Sequence, residues 1–303
     1  MVSTDLFTTH YYEVYGAQMN EPTYLQPFGD VHWDSPKCSM ERWHEWCEWA
    51  KKKKGSLFLG MGDYFDSIST HERKVFLNPD LHDDTLENLE TFYKKQVVRF
   101  AKEISFMKGR LIGLIEGNHY VTFSNGTTST QMLCDLLQCK YLGVMSIIRL
   151  SFRDIKGAPG NSTVPYDIVA HHGLGASRLL GGSVNRVMQF NEWIDADLFL
   201  MGHDHQKIVG ERERLKLSYS QRSGKLKLAY RKVVSARTGS FLRGYLPDKP
   251  SYVAARALPS STLGTIKIEL TPRRQQKQLG NSEKKQTRQT LYDEIYIDTH
   301  CSI

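Results

Sequence analysis

An α/β fold with strands buried on both faces, followed by a second, partly antiparallel sheet, is predicted by three observations on this chain of 303 residues. Short continuous apolar runs recur just ahead of polar turns, as strands covered on both sides require. Helical patterns with steps of three and four lie between those runs. After residue 205 the texture changes to alternating segments of the kind that pair across hairpins.

The elements follow in order. Trp43, Trp46, Cys47 and Ala50 share one face of a helix for which Ser39 is the expected N-cap, with residues 51–54 as a lysine run at its negative end and Gly55 as its stop. Residues 56–61 then form a strand running into Gly62 and Asp63. Leu86, Leu89, Tyr93, Val97, Phe100, Ile104 and Met107 mark a second helix that starts at Asp84 and Thr85. Residues 111–115 are a strand leading to Gly117, Asn118 and His119, and residues 167–170 one leading to His171. A helix over 183–193 precedes the strand 197–201, which runs into Gly202 and His203. Beyond it, the pairs Leu215 and Leu217, Leu226 and Leu228, Val233 and Val234, and Ile266 and Ile268 are expected to build the second sheet, with a turn near Ser223 and Gly224.

A 40% hydrophobic content supports a sizeable core, read as one domain over residues 1–270 with a basic linker or tail over 271–303. From residue 271 to 290, in a Gln-rich stretch, Arg273, Arg274, Lys277, Lys284, Lys285 and Arg288 face only Glu283, which predicts a flexible linker or surface arm. No run has the length of a membrane span, and residues 1–26 lack a signal-peptide core, so neither a membrane nor export is expected. The five cysteines, Cys38, Cys47, Cys134, Cys139 and Cys301, contain no C-x-x-C pair, which argues against a disulfide framework and for a reducing cytoplasm. A net charge of +7 is compatible with a polyanionic partner.

Five polar runs hang off the strand ends: GDVH at 29–32, GDYFD at 62–66, GNH at 117–119, HHG at 171–173 and GHDH at 202–205. Together they hold six of the eleven histidines along with aspartate and asparagine, the donors that bind divalent cations without thiolate. Ligands of open α/β sheets collect at such carboxyl ends. Singly, a GD or a GNH is a turn; it is the ordered conjunction that signals a site.

This ordered set, spanning residues 26–205, resembles the calcineurin-like metallophosphoesterase superfamily, whose pattern is D-x-H, GD, GNH, a lone H and GHxH. The resemblance implies a four-layer αββα sandwich of two mixed sheets. It further implies that Asp30, His32 and His205 bind a first cation and Asn118, His171 and His203 a second, with Asp63 bridging them. Two cations about 3.5–4 Å apart would share a hydroxide that attacks phosphorus in line. His119 is the implied general acid, and Asp66, matching the second aspartate of the GDYVD of the serine/threonine phosphatase branch, is implied to orient it. The likeness of HHGL to that branch's HGGL favours His171 over His172 as ligand, leaving His172 for the substrate side.

Tyr120 stands where the family usually has an acid, and Ser67 where protein phosphatases carry a phosphate-clamping arginine; Arg178, on the loop after HHG, is a candidate replacement that would bind substrate. The metal expectation is Mn²⁺, with Fe or Zn as alternatives. Phosphodiester hydrolysis, on a nucleotide or nucleic acid, is slightly favoured by the basic balance; phosphomonoester hydrolysis is the alternative, and a non-catalytic scaffold of the same fold the rival from another class. Trp43 and Trp46 are expected in the core rather than stacked on bases. Specificity is assigned to the insertion 67–84 and to residues 212–303.

Overall fold

The computed structural model describes residues 9–66, 83–159, 163–175, 177–220, 225–247, 251–278 and 291–302. They form an α/β fold of two mixed sheets. The first carries β1 (Thr9–Val14), β6 (Met145–Arg153), β7 (Thr163–His171), β8 (Leu198–Met201), β10 (Lys225–Ser240) and β11 (Gly264–Thr265) in that order, with β9 (Lys207–Ser220) paired to β10. The second runs β13 (Leu291–Ser302), β12 (Lys267–Gln278), β2 (Thr23–Phe28), β3 (Leu57–Gly60), β4 (Leu111–Leu114) and β5 (Lys140–Tyr141).

The expected motif strands are all present, but they are shared between the sheets. β3 and β4 lie parallel beside β2 in one, and β7 and β8 lie parallel in the other. Segments after residue 205 likewise divide: β9 and β10 extend the first sheet, while β12 pairs antiparallel with β2 in the second. The expected split into an earlier and a later sheet is therefore replaced by two interleaved ones. The register supplies the reason, because Val234 to Arg237 pair with Leu198 to Met201 and place β10 next to β8.

The faces are set by apolar alternation. Leu25, Leu59, Met61 and Ile112 from one sheet meet Ile148, Leu150, Ile168, Ala170, Leu200, Val234 and Ala236 from the other in a shared buried cluster. On the outer face of the second sheet lie α1 (Met40–Lys52), α2 (Asp83–Glu103) and α3 (Ser129–Leu137), through Trp43, Cys47, Val97, Phe100, Leu133 and Leu137. On the outer face of the first, Val187 of α4 (Leu180–Phe190) packs with Val169, Phe199, Met201 and Val233. A short α5 (Tyr252–Ala255) completes the described helices.

The α2 stripe is buried from Val97 onward, and Trp43 is fully buried as expected, packed at 5.2 Å from Trp46. Ser39 does sit at the start of α1 but caps it with no side-chain hydrogen bond; its hydroxyl accepts from Arg243 instead. Capping is stronger at α3, where Thr128 and Gln131 form a reciprocal capping box.

The expected linker from Thr271 is, over its described parts, a hairpin: residues 267–278 of β12 pair with 291–302 of β13. A polar, Gln-rich strand carries little local signal, and it is the β2 register, Ile268 opposite Leu25, that draws it into the sheet. Residues 279–290, most of the insertion 67–84 and the turn at Ser223 and Gly224 lie outside the described residues. All five cysteines are free, and no described helix is long and apolar enough to cross a membrane.

Candidate metal centre

The polar runs converge at the carboxyl ends of β2, β3, β4, β7 and β8, and their backbone is unusual. Nine non-glycine described residues have positive φ, and five of them are Asp30 (46°), His32 (47°), Asp63 (49°), His203 (74°) and His205 (61°). Left-handed backbone costs a residue with a β-carbon about 1–3 kcal/mol and concentrates at functional sites. Glycine serves close approach: a β-carbon on Gly117 would overlap Asp63 Oδ1, and one on Gly62, itself at φ 98°, would lie 2.5 Å from His172 Nδ1.

Asp30, His32 and His205 form one group of cation-competent donors, and Asp63, His172 and His203 another. In the first, His205 Nε2 lies 3.4 Å from Asp30 Oδ1, while Asp30 Oδ2 accepts from the His203 amide at 2.9 Å. His32 Nε2 and Asp30 Oδ1 are buried without a hydrogen-bond partner. In the second, Asn118 Oδ1 lies 2.9 Å from His172 Nε2 and 2.8 Å from His203 Nδ1, and those two nitrogens are 3.3 Å apart. His172 Nδ1 is 2.8 Å from the Met61 carbonyl and donates to it, so Nε2 is the nitrogen that faces Asn118 and Asp63.

Asp63 joins the two groups. Its Oδ2 lies 3.2 Å from His172 Nε2 and 4.0 Å from His32 Nε2, and its Oδ1 accepts from the His119 amide at 2.9 Å. Two imidazole nitrogens, an amide oxygen and a carboxylate thus face one another in a buried space. Burial of that kind costs several kcal/mol unless a cation or proton sits among the donors.

The protonation pattern reflects the same need. Burial pushes the His172 imidazole down, but the Asp63 carboxylate beside it pushes harder and raises it to about 9. Burial and the neighbouring His172 charge lower His203 to about 4. Asp63, opposed by burial, is held well below the carboxylate range by His172 first and then His32. These buried His and Asp groups could hold a metal ion, and the donor set of imidazole, carboxylate and amide oxygen fits a borderline to hard divalent cation.

Of the residues expected at the site, Asp30, His32, Asp63, Asn118, His203 and His205 are brought together. His171 is not, and this corrects its selection as ligand. The alternation that points Ile168 and Ala170 inward turns Val169 and His171 outward, so the His171 ring packs 5.6 Å from Phe190 of α4, and burial lowers it to about 4. His172, past the end of β7, takes the inward position.

Asp66 also differs from expectation. Its Oδ1 is 2.9 Å from His32 Nδ1 but 3.8 Å from His119 Nδ1, so it orients His32 first, and the His32 hydrogen bond keeps its carboxyl at about 2 against the pull of burial. His119 nonetheless lies at the mouth, 19% exposed at its side chain, with its ring edge-on to His32 at 4.9 Å. Arg178 is exposed on the loop after Gly173.

Two residues given no role by the sequence complete the surroundings: Asp204, within the GHDH turn, and Arg237, buried against it. No family model, curated protein or solved structure matches the chain.

Proposed function

We propose that this chain is a metal-dependent phosphoric ester hydrolase holding two divalent cations, with the four-layer sandwich of a calcineurin-like metallophosphoesterase. One observation carries the reading: seven cation-competent side chains from five strand ends converge in one buried space, and Asp63 stands between the two groups.

Asp30, His32 and His205 would hold one cation and Asn118, His172 and His203 the other, with Asp63 standing between the two groups and able to serve both. Such a pair, when bound, neutralises phosphate oxygens and acidifies water. Mn²⁺ suits these nitrogen and oxygen donors, with Fe or Zn as alternatives.

The chain's own residues supply the remaining steps. Asp66 fixes the His32 ring so that Nε2 points inward. His119, whose amide is anchored on Asp63, stands at the mouth in reach of a departing oxygen and would give it a proton. Arg178, exposed on the adjoining loop, would meet the outer charge of the substrate.

The favoured substrate is a phosphodiester of the nucleotide or nucleic-acid class, which accords with the net charge of +7. A cytoplasmic setting accords with five free cysteines. The test compares turnover of a chromogenic diester and monoester under Mn²⁺, with Asp63→Asn as control. Diester turnover lost by about 10³-fold in that variant supports the reading; preference for the monoester moves it to a phosphatase. Absence of both turnover and bound metal in the purified wild type leaves the non-catalytic scaffold standing instead.

A further inference from the structure

His203 and His205 flank Asp204, and both hold left-handed backbone, at φ 74° and 61°. Residues in that region persist only where their surroundings over-determine them. Beside the Asp30 oxygen that accepts from the His203 amide, a guanidinium holds this turn. Arg237 Nη1 donates to the Gly202 carbonyl at 2.7 Å, and Nε lies 3.1 Å from the Ser183 carbonyl and 3.2 Å from Asp204 Oδ2. Ser183 adds its hydroxyl to the same Asp204 oxygen, and Asp204 Oδ1 accepts from the Gln206 amide at 3.2 Å. The two charged side chains are 0% and 2% exposed.

We propose that Arg237 and Asp204 are positioning residues for the cation ligands His203 and His205. The proposal rests on the metal-dependent reading above and adds to it a part of the fold that carries no ligand. On β10 the alternation that sends Val234 and Ala236 into the core between the sheets sends Arg237 to the α4 side. From there it ties three elements: β10 itself, the GHDH turn, and the first turn of α4 at Ser183. α4 is the helix reached from His172, so the same fork also fixes the distance between the His172 and His203 segments, whose nitrogens stand 3.3 Å apart.

Chemistry favours a positioning role over plain stabilisation. A buried ion pair seldom exceeds a well-packed apolar pair in stability, and is best justified where it selects one arrangement among several. Arginine suits the task because its planar fork presents fixed donors in different directions, which a lysine ammonium on a flexible stem does not. Asp204 answers it with one oxygen for Arg237 and Ser183 and the other for the next turn.

The test titrates purified protein with Mn²⁺ alone and follows binding by calorimetry, at a temperature where near-ultraviolet circular dichroism is that of the native fold. Arg237→Lys and Asp204→Asn are each expected to weaken binding by about 10–100-fold, the range for residues that orient metal ligands. Arg231→Met is the matched control. Its guanidinium pairs with Asp197 and Asp195, each at 2.6 Å, at the opposite end of β8. That variant is expected to melt earlier and to bind Mn²⁺ as the wild type does.

Wild-type affinity in folded Arg237→Lys and Asp204→Asn overturns the proposal, as does an equal loss in Arg231→Met, which would make the effect one of general stability. If Arg237→Lys does not fold, Asp204→Asn decides, since its side chain keeps nearly the same shape. Failure of the wild type to bind Mn²⁺ removes the metal-dependent reading and this role with it.

Discussion

Asp167 and Asp197 immediately precede the stretches over which β7 and β8 pair, and His172 and His203 lie one and two residues past them. On the amino side the carboxylates are answered: Arg149 forks onto Asp167 at 2.7 and 2.8 Å, and Arg231 meets Asp197 at 2.6 Å, with the Asp167 amide donating to Asp197 at 2.8 Å. On the carboxyl side, past the four-residue paired stretches, Asp63, Asn118 and two imidazoles crowd together in a buried space, and Asp30 and His32 keep buried atoms without partners. Charge that is paired and half in water stabilises weakly and asks for nothing more. Charge that is buried and unanswered reveals a missing partner, so the second end reads as a site and the first as structure.

The comparison can be broken at several points. The largest effect is expected from Gly117→Ala, which would drive a methyl group into Asp63 Oδ1. Mn²⁺ binding should vanish and stability fall by about 3 kcal/mol; a variant that still binds in a titration would show that Asp63 is free to move and that the tight approach is incidental.

Asp66→Asn comes next. Its near-isosteric amide cannot accept as a carboxylate does from His32, so Mn²⁺ affinity should drop by about 10–100-fold while the melting temperature barely changes. Activity lost without any change in calorimetric affinity would return Asp66 to the service of His119 alone.

A pH series sharpens the same contrast. With His172 raised to about 9 in the metal-free protein, that ring holds a proton at neutral pH which a cation must displace. Affinity should therefore climb by about tenfold per pH unit from 7 toward 9 and then level, with a proton released on binding. The proton also contributes stability to the metal-free protein, present below the ordinary histidine pKa and lost as pH rises through 9. A flat profile between pH 7 and 9, read by titration in buffers of different ionisation heat, would contradict this. At the amino end, Asp197→Asn should cost only about 1–2 kcal/mol in urea unfolding and leave Mn²⁺ affinity untouched; a shift in affinity there would dissolve the distinction between the ends.

Much of the fold and of the site was legible in local sequence, for physical reasons that also explain what was not. β3, β4 and β8 are four-residue strands buried throughout, so their composition alone announces them, and each runs into a glycine-marked turn. The choice between His171 and His172 needs the face of β7 that looks inward, which a run buried on both sides does not reveal. β12 and β13 are polar along much of their length and owe their strand state to pairing with residues far away in sequence. Arg237 gave no signal because nothing near it is distinctive; its partners lie 33 and 54 positions away, at Asp204 and Ser183.

Asp30, Asp63 and Asn118 descend from one sheet, His172, His203 and His205 from the other, so every candidate cation would be gripped from both sides of the seam between them. Metal loading would then act as a rivet, fastening two layers that otherwise adhere through apolar contact. At a hundredfold excess over its dissociation constant, each such ion adds about 2.7 kcal/mol to the folded state. Chelation would loosen the joint before it unravelled either layer.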